Sequence, residues 1–179
     1  MKEQAPGVQQ DFAALLVAVA PRLRRFCVSL SGNADAGDDL TQAVLERALL
    51  KQDQFQADTR LDLWLFRMAR NLKIDMARAA KARGGLGESL DTIAERTGED
   101  GREVVEVRSE LSLVARAFMA LPEAQREVFA LVVLDGLAYR EAAALLDLPI
   151  GTIMSRVARA RTGIEAFIRE SERSAGHDC

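Results

Sequence analysis

The sequence predicts an all-α chain of two small helical domains joined by a flexible acidic linker. Three observations carry this. Apolar residues recur at i, i+3 and i+4 over most of the chain, the period of one buried helix face. Strand-like alternation is missing, and aromatic residues make up only 5%. One stretch, 84–102, follows no period and mixes glycines with five acidic residues, the composition of a tether.

The elements follow in order. Residues 11–30 read as an amphipathic helix with Phe12, Leu15, Leu16, Val19, Leu23 and Phe26 on one side, and Pro21 is expected to kink or split it. Ser31-Gly32-Asn33 breaks the pattern. Asp35 to Leu50 forms a second helix, with Asp35 as cap and Leu40, Val44, Ala48 and Leu49 on one stripe. Gln52 to Thr59 is a polar connection around Phe55, and Leu61 to about Arg83 is a long third helix ended by Gly84-Gly85-Leu86-Gly87. A helix resumes near Glu103 with Val104, Val107, Leu111, Val114 and Phe118 in register. Leu121-Pro122 breaks it, and Pro122 opens a helix running to Leu134 as its first residue. Asp135-Gly136 turns the chain into a short alanine-rich helix, Ala138 to Leu146, and Asp147-Leu148-Pro149 turns it again into a last helix from Ile150 to about Arg169. The expected domains are 9–83 and 103–170, with 84–102 as linker and 171–179 as a frayed tail.

Composition excludes several function classes. A chain with 49% hydrophobic and 28% charged residues is globular rather than disordered. No run of about 18 uncharged apolar residues exists to span a membrane, so no direct membrane contact is expected. Asp11, Arg22, Arg24 and Arg25 interrupt the first apolar stretch, which speaks against a secretory leader. Cys27 and Cys179 cannot build a disulfide framework, and a cytoplasmic location is expected. With those two cysteines and one histidine, His177, neither a metal site nor Ser-His or Cys-His catalysis is expected, and no cofactor is implied. Asp38 and Asp39 are adjacent on a helix and point about 100° apart, so they form no acid/base pair across a cleft; an enzyme is not expected.

The net charge of −3 conceals a pattern. Residues 1–83 carry 13 basic and 10 acidic side chains, and residues 103–179 carry 9 and 12. Between Arg67 and Arg83 stand six Lys or Arg against one acid, Asp75; between Leu148 and Gly163 stand Arg156, Arg159 and Arg161 and no acid. Local basic strips govern nucleic-acid binding more than the overall sum does.

Tyr139 to Ile164 reads as a helix-turn-helix: a short helix with Ala142 and Ala143 where another helix must approach, a tight turn, then a longer helix with Ile153, Val157 and Ile164 facing inward. Asp147 occupies a turn position where glycine is common, and Asp tolerates the left-handed conformation. Thr152, Ser155, Arg156 and Arg159 fall on the outer face, and Arg161 follows in the same acid-free run and is counted with them as a candidate DNA contact. Short polar groups near a helix start with arginines behind them suit a major groove, where arginine grips guanine or phosphate. On the third helix, Arg67, Arg70, Arg78 and Lys81 form a stripe about 80° wide at 100° per residue, with Asn71 at its border and Lys73 in the same basic run. Leu65, Met68, Leu72, Met76 and Ala79 lie on the opposite, buried side. Such a stripe tracks a phosphate backbone. Trp64, among Leu61, Leu65 and Met68, reads as core rather than as a stacking platform.

Five segments then resemble a known family. Asp38-Asp39-Leu40-Thr41-Gln42 and Leu63 to Asn71 are similar to region 2 of bacterial sigma factors of the extracytoplasmic-function (ECF) group. Leu121 to Phe129, Leu134 to Ala143 and Pro149 to Arg156 are similar to region 4. The resemblance implies a dissociable initiation subunit of core RNA polymerase. Its first domain would bind the polymerase clamp through Asp38, Asp39, Gln42 and Glu46 and open the −10 promoter element. Its second would bind the β flap and read the −35 element. Within this frame Asn71 is the candidate for holding a base taken from the stack. Ala43, Met154 and Asp147 stand where the family often has Glu, Lys or Arg, and Gly. An anti-sigma factor is the implied partner, wedged between the domains of a chain otherwise monomeric and variable in domain spacing. The alternatives are a stand-alone helix-turn-helix regulator and a sigma-like decoy that sequesters an anti-sigma factor.

Overall fold

A computed structural model describes the backbone of residues 6–56, 59–82 and 105–175. Every regular element among them is helical: α1 (Pro6–Ser31), α2 (Ala34–Leu50), a 3-10 turn (Gln52–Gln54), α3 (Leu61–Ala82), α4 (Val105–Met119), α5 (Glu123–Phe129) continued by a π-helical turn (Ala130–Leu134), α6 (Tyr139–Leu146) and α7 (Ile150–Ala175). Helices α1–α3 pack into one unit and α4–α7 into a second. The proposed linker 84–102, with Gly84 to Gly87, lies outside the described residues, as does Val104; so does the side chain of Val107.

Helix α1 stays continuous through Pro21. Proline cannot donate to the carbonyl of Val17, and Pro21 and Val17 are both exposed, so the missing bond falls on the solvent side of the helix. Asn33, rather than Asp35, caps α2: its side chain accepts the Ala36 N–H at 2.8 Å, and Asp35 sits in the first turn. Backbone approach between α1 and α2 depends on Gly37, where a Cβ would come within 2.6 Å of the Val28 Cα. Pro122 is the N-cap of α5, one position earlier than the composition suggests, because its ψ of 140° is extended and Glu123 takes the first helical position. The π turn closes with a hydrogen bond from the Asp135 N–H to the Ala130 carbonyl at 2.9 Å, and this wide turn carries Asp135 toward the first unit. Helix α7 runs to Ala175, six residues past the expected end, where the Ser171 and Ser174 hydroxyls donate to carbonyls four residues back.

The core is one continuous apolar cluster. It runs from Phe12, Leu23, Phe26, Val44, Leu65 and Phe66 in the first unit to Val128, Leu131, Leu146, Ile153 and Val157 in the second. The Phe26 and Phe66 rings meet at 4.7 Å, and Phe12, Phe55 and Trp64 form an aromatic triad with centroids 5.5–6.4 Å apart. Several residues assigned to buried faces are exposed: Leu15, Leu49, Met76, Ala79, Leu111 and Val114. For Met76 and Ala79 the reason is length. Helix α3 has 22 residues, about 33 Å at 1.5 Å per residue, and outruns the 17-residue α2 it packs on, so its buried positions end at Ala69. The two units are therefore not independent bodies on a tether, as the composition alone suggests; they are docked.

Candidate nucleic-acid and polymerase interface

The turn before α7 is built by Asp147. It holds φ 54° and ψ 51°, the left-handed conformation, and its N–H closes onto the Ala143 carbonyl. Glu141 reaches back to accept the Ala138 N–H at 2.9 Å, half of a capping box that fixes the start of α6. Ala142 is fully buried, and Ile153 and Val157 anchor the inner face of α7. Ile164 is half-buried. On the outer face Arg159 is exposed, while Thr152, Ser155 and Arg156 are half-buried; Arg161 is exposed as well, but two positions after Arg159 it points about 200° away from it. The Ser155 hydroxyl donates to the Thr152 carbonyl at 3.0 Å, so its proton is engaged within the helix.

On α3, Arg67, Asn71, Arg78 and Lys81 are exposed and Lys73 is half-buried. Arg70 departs from the stripe. It lies against the second unit, its Nε 3.3 Å from Glu127 Oε1. Trp64 joins the aromatic triad, as a core residue should, yet also lines an open surface recess with Arg67, Met68 and Asn71. Arg47, Lys51 and Gln54, from the end of α2 and the 3-10 turn, complete that recess. Periodicity along α3 alone does not find these three residues; the legible signal was the Arg47/Lys51 pair, basic residues one helical turn apart.

Asp38, Asp39, Gln42 and Glu46 lie on the exposed side of α2. Asp38 is held by Arg24 through two hydrogen bonds of 2.6 and 2.9 Å, and the Arg24 hydrogen bond lowers the Asp38 carboxyl below its ordinary value. Gln42 donates to Glu46 at 2.9 Å.

The seam between the units holds residues that sequence reasoning did not single out. Arg22 donates from Nε to Asp135 Oδ1 at 3.3 Å and from a terminal nitrogen to the Asp135 carbonyl at 3.2 Å; Arg25 reaches the same Oδ1 at 3.2 Å. Arg60 donates to Glu141 at 2.6 Å. Arg126, buried on α5, donates to the carbonyls of Ser29, Met119 and Leu121. Burial lowers the Arg126 guanidinium below its usual value. Burial pushes the Glu127 carboxyl up, and the charges of Arg70 and Arg156 offset this only in part. The legible signal for this seam was Arg126-Glu127 in the middle of an apolar helix.

Residues 111–162 match the family "Sigma-70, region 4", and residues 16–70 match "Sigma2 domain of PhyR". The ECF RNA polymerase sigma factor EcfG of Rhodopseudomonas palustris (strain TIE-1) is 39% identical over 156 residues, 86% of this chain and 82% of that protein. The chain belongs to the ECF sigma factors. The ECF sigma factor SigW of Bacillus subtilis (strain 168) is 28% identical across 95% of both chains. Among solved structures, the sigma factor RpoE in complex with the anti-sigma factor NepR from Bartonella quintana overlays with a TM-score of 0.73 at 33% identity, covering 89% of this sigma chain and 98% of that one. The sigma factor fold is thus all-α with two helical units, as the sequence led us to expect. No helix among the described residues is long and apolar enough to cross a membrane.

Proposed function

We propose that the chain is a dissociable subunit of bacterial RNA polymerase that directs initiation at promoters carrying −35 and −10 elements. The observation that carries this reading is the presence of both sigma regions, at 16–70 and 111–162, in order on one chain whose 39% identity to EcfG extends over 86% of its length. In this reading 9–83 is the domain for clamp and −10 element, 103–170 the domain for flap and −35 element. Asp39, Gln42 and Glu46 on the outer side of α2 offer polar groups to the clamp; Asp38 contributes after release from Arg24. Thr152, Arg156 and Arg159 meet the −35 duplex, Ser155 through its oxygen, and Arg161, on another side of α7, adds positive charge near its phosphates. Arg67, Lys73, Arg78 and Lys81 follow phosphates near the −10 element, joined by Arg70 once it leaves Glu127. Asn71 captures an unstacked base, and its place in the lining of an open recess together with Trp64 supports that role. The partner that controls the chain is an anti-sigma factor, since similar folds include RpoE with NepR and CnrH with the cytosolic domain of CnrY. The site of action is the cytoplasm, where polymerase and promoter are.

Run-off transcription with core polymerase tests this. The chain should produce promoter-specific transcripts that core polymerase alone does not. Arg159→Ala, at an exposed position, should weaken binding to −35 duplex by about 1–3 kcal/mol, the value of a bidentate base contact, with the transcript yield falling accordingly. No transcript above the core background would sink the reading. A second reading, a sigma-like decoy for an anti-sigma factor, draws on the match of 16–70 to the PhyR sigma2 domain and on likeness to a PhyRSL–NepR complex from Sphingomonas sp. Fr1. It expects anti-sigma binding without transcription.

A further inference from the structure

The seam between the two units has a polarity. Among the described residues four ion pairs cross it, on three carboxylates: Arg22 and Arg25 with Asp135, Arg60 with Glu141, and Arg70 with Glu127. In each the arginine belongs to the first unit and the carboxylate to the second. This matches the charge asymmetry of the two halves, 13 basic to 10 acidic against 9 to 12. The central carboxylate is the most enclosed. The Asp135 side chain has no exposed surface, and its Oδ2 accepts no hydrogen bond among the described residues. A buried carboxylate is tolerated only when cations face it, so separating Asp135 from Arg22 and Arg25 and rehydrating all three groups is an available alternative to closure. Arg126 reinforces the seam from the other side by donating to the Ser29 carbonyl.

We propose that these carboxylates form a clasp that closes the two units on each other without a partner protein, and that they stand in for DNA phosphate against the first unit's arginines, withholding Arg70. The second half rests on the DNA-binding reading above; the first does not. Glu127 is the most direct stand-in: it takes the arginine of the α3 stripe that the exposed members Arg67, Arg78 and Lys81 would need to continue along a backbone. Opening and DNA binding are then coupled, because each phosphate that engages Arg70 displaces a carboxylate. The overlay on an anti-sigma-bound sigma factor spans both units. A partner that favours the closed form therefore adds to a bias already present in this chain.

Small-angle scattering of the isolated full chain reads the clasp. Wild type should be compact at about 0.05 M salt and expand near 1 M, where screening shortens to about 3 Å. The double variant Asp135→Asn/Glu141→Gln should be expanded at low salt already; Gln at 141 can still accept the Ala138 N–H, so α6 keeps its cap. Binding to a short mixed-sequence duplex reads the masking. The double variant should bind at least about fivefold more tightly than wild type, the low end of typical two-state coupling, and adding Arg70→Ala should remove most of that gain. Wild type equally compact at every salt concentration, or a double variant that scatters as wild type does, overturns the clasp. A variant that opens and binds the duplex no better overturns the masking. If neither chain binds DNA nor supports run-off transcription, the sigma reading fails, and the scattering still decides the clasp.

Discussion

Asp62 shows how a single buried charge is accommodated. It sits in the first turn of α3, where the helix dipole favours an anion, and accepts from the Leu63 N–H at 2.9 Å and from Arg60 at 2.7 Å, with Arg22 3.0 Å away. Burial alone raises its carboxyl, but the Arg60 hydrogen bond, the Leu63 N–H and the charges of Arg60 and Arg22 together outweigh it and hold the group below its ordinary value. A depressed carboxyl stabilises the fold above its unfolded value, near pH 3.9, and that stability is lost as pH falls through the folded value. Asp62→Asn should therefore cost about 1–3 kcal/mol at neutral pH, a drop of roughly 2–12 °C in Tm for a chain of this size. Melting curves of wild type and variant should converge below about pH 4. A gap that stays constant down to pH 3 would show that the charge is not what Asp62 contributes. Cys27 is the opposite case: burial pushes its thiol up to about 11, so at neutral pH it is a small apolar filler rather than a nucleophile.

At the scale of an element, the α6–α7 turn links a backbone conformation to the placement of the helix proposed to read DNA. Asp147 is the only non-glycine with positive φ among the described residues. A β-branched residue there meets the full left-handed penalty, about 1–2 kcal/mol, whereas Gly or Asn does not. Asp147→Val should lower stability by about that amount in chemical denaturation, and Asp147→Gly should stay within about 0.5 kcal/mol of wild type. An Asp147→Val chain as stable as wild type would mean that the turn relaxes out of the left-handed region. Helix α3 makes a second point at this scale. Its wheel separates a basic side from an apolar one, but amphipathicity does not state where along the helix its partner ends. Met76 and Ala79 have the right phase and nothing to pack on.

For the whole molecule, a shared core has a measurable consequence. Because Val128, Leu131, Leu145 and Leu146 belong to the same apolar cluster as Leu23, Phe26 and Phe66, the units should unfold together at low salt. Trp64 is the only tryptophan and lies in the first unit, so its fluorescence follows that unit while far-UV circular dichroism follows both. The two urea transitions should coincide within error. A dichroism curve with a second step after the tryptophan signal is complete would mean that each unit folds alone and the apolar continuity is incidental.

How much was legible beforehand follows from where each property is encoded. Helix positions, the turn at Asp147, the inward set Leu40, Val44, Ile153 and Val157, and the exposed cations Arg67, Arg78, Arg159 and Arg161 all depend on neighbours within a few residues, so periodicity and turn chemistry suffice. The sigma resemblance was readable for the same reason: its motifs are short and contiguous. What the sequence could not disclose spans long separations. Arg22 and Asp135 are 113 positions apart and Arg60 and Glu141 are 81, and no local period predicts which carboxylate an arginine will find. Arg70 has the phase of a solvent-facing cation, and periodicity puts it in the stripe. Only the docking of α5 against α1 and of α6 against α3 brings Glu127 to it and turns a basic stripe into one side of a seam. Local physics thus determined the helices and their faces; tertiary packing decided which of those faces remain open to a partner.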